Sequence, residues 1–226
     1  MIDIAVLVEP RLHPQLKNVI DNMIEFLNEK TKIMIFHSDI NMEFLLLHYK
    51  DSNRIILKRL NRLRNNNLTI PEYNILLTSM TFWNQIDGEY ILIFQTDSCL
   101  CQHIDNFDLE LYKEYGFVGA PCRDRNDKYN SWQNGGFSLR RKSLTLKCLK
   151  TLQPYEKVTI NEDKFYTVLC RDIIKPAPYD LSMIFSIEKY YHDKPLGLHK
   201  TWRFIKKEQW DELKNNYSHI GLIFNY

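Results

Sequence analysis

Glycine is scarce in this chain, with seven residues in 226. Neither Gly-x-Gly-x-x-Gly nor Gly-x-x-x-x-Gly-Lys occurs, so the usual backbone cradles for dinucleotides and triphosphates are missing. A nucleotide diphosphate bound here needs its charge neutralised differently, and a divalent cation held by a carboxylate does that. Cysteine is sparse as well: there are five, an odd number, and Cys99 and Cys101 stand one residue too close for a Cys-x-x-Cys knuckle. A reduced, cytoplasmic setting is the expectation, with the thiols acting as small hydrophobes. An excess of either charge is nearly absent, 30 Lys and Arg against 28 Asp and Glu leaving a formal net charge of +2. The one basic cluster, Lys58-Arg59 through Arg62 and Arg64, reads as a solvated face, so a nucleic-acid partner is not expected. No apolar run reaches membrane-spanning length, and the amino terminus lacks the basic-then-apolar layout of a signal peptide.

The apolar content of 44% and the length suit a single globular domain over residues 1–226. Asp3-Ile4-Ala5-Val6-Leu7-Val8 is almost continuously apolar, as in a strand buried on both faces. Leu16, Val19, Ile20, Met23 and Leu27 then share one helical stripe, and Ile33-Met34-Ile35-Phe36 follows as a second strand. Strand, helix, strand in that order predicts a βαβ unit and a parallel sheet. A weaker strand is predicted at 54–57. One helix is expected to open at Pro71, with Tyr73, Leu76, Leu77, Met80 and Trp83 on a single face. Tyr90-Ile91-Leu92-Ile93-Phe94 is the clearest strand, and it runs directly into Gln95-Thr96-Asp97-Ser98. Ligands gather beyond the carboxyl ends of such strands. Further on, a helix is predicted around 162–170, a short strand at 183–187, and a final helix with Trp210 and Leu213.

Four groups could carry chemistry. Asp97 follows a buried strand, where a carboxylate is costly without a partner; a metal ion or a turn cap would each satisfy it. His199, followed by Lys200, reads either as a structural histidine or as a second metal ligand, with the lysine suited to a leaving phosphate. Glu162 and Asp163 either serve a helix dipole or include a general base for an acceptor hydroxyl. Gly135-Gly136 is either a tight turn or a place for a sugar to approach the backbone, with Asn134 and Trp132 supplying a hydrogen bond and a stacking face. Asp/His ligation with phosphate oxygens favours manganese, or magnesium.

The order of these segments resembles the GT-A glycosyltransferases: a strand ending in an acidic motif, a Gly-Gly strand, an acid pair, then a late histidine. The chain also looks like a glycosyltransferase-like domain family of unknown function in large DNA viruses and fungi. The stretches that carry this are 8–14, 36–38, 94–98, 118–121, Asn134-Gly135-Gly136-Phe137-Ser138-Leu139-Arg140, 161–163 and 198–200. The resemblance implies an α/β GT-A fold, Rossmann-like, with a mostly parallel central sheet flanked by helices. It implies a nucleotide-binding half over about 1–100 and a donor-sugar and acceptor half over about 101–226. Asp97 then matches the metal-binding aspartate of Asp-x-Asp, and His199 the late metal histidine. Gln95 stands where the motif's first aspartate would be; it can bond a ribose hydroxyl but is a poor metal ligand. Asp163, with Glu162, matches the acids near the reacting sugar. Val8, Glu9, Arg11 and His37, with Gln95, Thr96 and Lys200, would face the nucleotide.

The expected activity is metal-dependent transfer from a UDP-sugar to a glycan or protein acceptor, with inversion and Asp163 as base. The alternatives are a degenerate GT-A module that binds nucleotides or glycans without turnover, and a metal-dependent phosphoesterase, for which carboxylates and histidines near Asp97 are too few. Abundant Asn, Ile and Lys suits the viral branch of the resemblance and a host-cytoplasm or virus-factory setting. A homodimer is left open.

Overall fold

The computed structural model describes residues 2–61, 67–122, 132–152 and 160–224. Arg62 and Arg64 of the basic cluster therefore lie outside the described residues, while Arg59 is exposed and paired with Asp39.

Six strands form the central sheet: β1 (Ile4–Val8), β2 (Lys32–His37), β3 (Ile55–Arg59), β4 (Tyr90–Phe94), β6 (Phe117–Pro121) and β7 (Gln133–Arg141). Their order is β3-β2-β1-β4-β7-β6. β7 pairs antiparallel with both neighbours and every other pairing is parallel, so only β7 runs against the rest. The expected mostly parallel sheet is present. Strands from both halves of the chain share it, four from residues 1–100 and two from beyond. A smaller sheet joins β5 (Ser98–Leu100), β9 (Gly197–His199) and β8 (Ser186–Ile187), in that order.

The apolar runs are continuous because the sheet is covered on both faces. Ala5 and Leu7 of β1 belong to one core cluster, with Leu16, Val19, Ile20 and Met23 of α1 (Leu16–Phe26). Ile4, Val6 and Val8 point into the other, with Phe82, Trp83 and Phe165. The same alternation divides Leu92 and Phe94 of β4 from Ile91 and Ile93. All five cysteines are buried and free. Among the described residues no helix is long and apolar enough to cross a membrane.

Several elements differ from the sequence-based expectation. The helix α2 (Asp39–Tyr49) had no counterpart there; Ser38 and Asn41 form a capping box at its start. The helix expected from Pro71 is two, α3 (Ile70–Leu77) and α4 (Met80–Trp83), separated at Thr78 and Ser79. Thr78 turns its hydroxyl back to the Asn74 carbonyl at 2.8 Å, and the Leu77 carbonyl at the break receives Trp83 Nε1 and the Tyr166 hydroxyl, each at 2.7 Å. Helix α5 (Lys142–Leu152) follows β7. Helix α6 (Glu162–Lys164) passes into a π-helical turn, Phe165–Leu169, and on to α7 (Arg171–Ile174). The strand expected at 183–187 is reduced to Ser186–Ile187, because Met183 to Phe185 end helix α8 (Tyr179–Phe185) instead. A short apolar run has no periodicity that separates the two readings. Helices α9 (Lys207–Asn216), which carries Trp210 and Leu213, and α10 (Ser218–Ile223) close the described chain.

Candidate functional site

β1 lies between β2 and β4, so the strand order reverses there, and a cavity of about 510 Å³ opens past the carboxyl ends of β1 and β4. Val8, Glu9, Arg11, Gln95, Thr96, Asp97, Asn134, Gly135, Gly136, Glu162, Asp163, His199 and Lys200 all line it. Two expected residues do not. His37 is buried at the end of β2 with its Nδ1 2.9 Å from the Ser38 carbonyl, and Trp132 stands outside the lining with Lys164 Nζ 4.8 Å from its ring centre. A second cavity, about 560 Å³, lies by Ile2 and Asp3 at the other end of β1, away from every candidate residue.

The small sheet builds one wall. Asp97 precedes β5, and the β5–β9 register sets Ser98 opposite His199. The Lys200 N–H donates to the Asp97 carbonyl at 2.9 Å, which locks the two turns together. His199 Nε2 is 3.1 Å from Asp97 Oδ1 and 3.2 Å from Gln95 Oε1, and Lys200 Nζ is 3.1 Å from Asp97 Oδ2. Lys200 takes the left-handed conformation at φ 51°, which a lysine rarely adopts. Burial alone would raise the Asp97 pKa; the His199 ring and the Lys200 ammonium reverse this and hold it well below the usual carboxylate range. Burial opposes protonation of His199, yet the Asp97 and Glu188 carboxylates outweigh it and push its pKa up.

Asp97 Oδ1 is buried and receives no hydrogen bond of adequate geometry among the described residues. A buried carboxylate oxygen, a ring nitrogen and an amide oxygen converging at this spacing fit a divalent cation such as manganese or magnesium. No three His, Cys, Asp or Glu side chains gather to hold a metal among the described residues.

The opposite wall is an acid pair whose members differ. Glu162 presents both oxygens to the Arg140 guanidinium, at 2.6 and 2.9 Å, and Arg140 is fully buried over the Phe117 ring at 4.5 Å. Both Glu162 oxygens are thus engaged by Arg140, whereas sequence reasoning had put Asp163 forward as the base, with Glu162 beside it. Asp163 Oδ1 accepts the backbone N–H of Lys164 at 2.7 Å. Burial, aided by the neighbouring Glu162, pushes the Asp163 pKa from the ordinary 3.8 up to about 7. The folded protein thus binds this proton more tightly than the unfolded chain between about pH 4 and 7, so the contribution of Asp163 to stability falls as pH rises through that window. Asp163→Asn is expected to match the wild type in thermal denaturation at pH 4 and to exceed it at pH 8. A variant less stable at pH 8 would show that partners hold the carboxylate.

The two glycines serve the walls rather than open space. A Cβ on Gly135 would sit 2.2 Å from Glu162 Oε1, and one on Gly136 2.3 Å from His199 Nε2. The Asn134 amide is also engaged, accepting from the Gly136 N–H at 2.7 Å and donating to Glu188 at 3.3 Å. On the β1 side Glu9 is buried and holds the Arg11 fork at 2.8 and 2.7 Å, with the Thr96 hydroxyl 3.3 Å away. Sequence reasoning missed Arg140, Glu188, Asn41 and Tyr73. Arg140 had a signal: an arginine within a strand of otherwise buried residues needs a buried acid. Asn41, which ties α2 to the Glu9 and Arg11 carbonyls at 2.7 and 3.1 Å, had one in its capping spacing after Ser38. Tyr73, taken as core, lines the cavity.

Solved glycosyltransferases share this architecture. GlyE of Streptococcus pneumoniae TIGR4 superposes with a TM-score of 0.56 at 16% identity, covering 100% of this chain, which in turn spans 62% of the GlyE chain. Its apo form gives the same TM-score at 14% identity. The galactosyltransferase LgtC, in complex with donor and acceptor sugar analogues, gives a TM-score of 0.59 at 10% identity over 97% of this chain and 95% of its own. The fold is GT-A, Rossmann-like. Comparison with curated protein sequences gives no match. A family model described as "Protein of unknown function (DUF5672)" matches residues 58–199, more than half of the chain, from the end of β3 to His199, and the chain belongs to that family.

Proposed function

We propose that the protein transfers a sugar from a nucleotide-sugar, a UDP-sugar in the simplest case, to a hydroxyl of a glycan or protein acceptor. The observation that carries this is the buried Asp97 carboxylate oxygen beside His199 and Lys200, across one cavity from the Asp163 carboxyl group, on a GT-A fold.

Asp97 and His199 would hold the cation, which when bound would offset the diphosphate charge and stabilise the leaving group as a Lewis acid. Lys200 would add a second positive charge at the departing phosphate, the position where transition-state charge grows. The Asp163 carboxylate would take the acceptor hydroxyl proton; the acceptor oxygen attacks the anomeric carbon, and the bond from that carbon to the diphosphate oxygen breaks, with inversion. An acid with a pKa of about 7 is matched to that proton transfer at neutral pH. Glu9 and Arg11, at the end of β1, suit the ribose and base. The manganese dependence, the cytoplasmic setting and the viral branch of the resemblance belong to this proposal.

Gln95 favours a second reading, a nucleotide-binding module without turnover, since it brings no charge where Asp-x-Asp has an acid. A panel of sugar nucleotides, scored by thermal stabilisation with and without manganese, tests the first step common to both. Mass action requires stabilisation of about 2.7 kcal/mol at a hundredfold excess over Kd. No stabilisation by any nucleotide with manganese present would remove both readings.

A further inference from the structure

Glu188 is a buried carboxylate that the proposed reaction does not use. It follows β8 directly, and the parallel β8–β9 register, with Ile187 opposite Leu198, brings it level with His199. Its side chain is 6% exposed, and its Oε1 lies 3.4 Å from His199 Nδ1, on the far side of the ring from Asp97. Two further contacts hold it there: the Asn134 amide donates to Oε1 at 3.3 Å, and the Cys122 thiol donates to Oε2 at 3.5 Å. His199 Nδ1 is itself buried and without a hydrogen bond of adequate geometry in this structure. A buried carboxylate and a buried ring nitrogen facing each other at this distance are one small rotation from pairing.

A metal-binding imidazole must present one nitrogen free of its proton, and which one is decided by what the other nitrogen bonds. Only Nε2 faces Asp97 and Gln95. We propose that Glu188 is a positioning residue for cation binding: it accepts the Nδ1 proton of His199 in a hydrogen bond, fixes the ring plane and leaves the Nε2 lone pair directed at the cation. This rests on the proposed function. The backing carboxylate raises the basicity of the ligand as well as aiming it.

The test is manganese affinity in the presence of UDP, measured by calorimetry or by electron paramagnetic resonance for wild type, Glu188→Gln, His199→Ala and the double variant. Removing such a backing partner typically costs about 10–100-fold in metal affinity. That loss is expected for Glu188→Gln in the wild-type background, with a change of less than about twofold in the His199→Ala background, where the ring it acts through is gone. Glu188→Asp, which keeps the acid, is expected to recover part of the affinity. Equal losses in both backgrounds, or no loss in the first, would overturn the inference while leaving the proposed function standing. Wild-type protein that binds no manganese with UDP would instead overturn the proposed function, and this inference with it.

Discussion

Asp97→Ala is expected to lower sugar transfer by at least about 10²–10³-fold while the protein stays folded. Removal of one preorganised electrostatic partner of a transition state elsewhere costs about 2.7–4 kcal/mol, and Asp97 would serve the proposed cation while also pairing with Lys200. The loss is expected in kcat and in manganese-dependent nucleotide affinity together, since the same carboxylate acts in both. Some stability should be lost too at neutral pH, because a carboxylate held well below its usual range by His199 and Lys200 contributes to folding there, so transfer is compared per folded protein. Asp97→Asn keeps the shape and removes the charge, so it should resemble the alanine variant in activity. If Asp97→Asn kept wild-type transfer and manganese response, charge at this position would not be the source of catalysis.

Glu162→Gln should produce the largest loss of stability. The partner guanidinium of Arg140 is wholly inside the protein, 4.5 Å above Phe117 and 5.5 Å from the Tyr166 ring, and Glu162 is its buried counter-ion. Breaking one half of such a pair leaves an uncompensated charge and costs about 3–5 kcal/mol, which at this chain length is a fall in Tm on the order of 10 °C. Replacing both, as Arg140→Met with Glu162→Leu, should recover most of the loss, since a well-packed apolar pair of similar volume is often neutral. Urea unfolding of Glu162→Gln, of Arg140→Met and Glu162→Leu singly, and of their double variant measures this. Additive losses in the double variant would mean that the two side chains are stabilised separately. The pair also ties α6 to β7 and so sets where the adjacent Asp163 stands; activity in Glu162→Gln should fall further than its stability alone explains.

Much of the scaffold was legible because buried parallel strands have little choice of composition. The runs ending at Val8, Phe36 and Phe94 are apolar on both faces. The helices were harder. α2 buries only Asn41, Leu45 and Tyr49, so its apolar stripe is faint, and its start is marked by a polar cap that periodicity does not weigh. At the site, Asp97 could be named because a carboxylate after a buried strand is costly without a partner, and Asp163 because the order of motifs resembles that of the GT-A enzymes. What the sequence could not convey is which acids are already spent. Glu162 and Asp163 are adjacent and chemically alike; only the fold, by sending Arg140 to one and not the other, separates a structural ion from a candidate base. Gly135 and Gly136 teach the same lesson, since the bulk they make room for comes from residues 162 and 199.

The most direct measurement is release of UDP from UDP-sugars in the presence of acceptor glycans, followed with and without manganese, with the product identified by mass spectrometry. The proposed function requires manganese-dependent release coupled to a glycosylated product in the wild type, and neither in Asp97→Ala. UDP-sugar bound by the wild type but never turned over, on any donor and acceptor tried, would contradict it and leave a binding module.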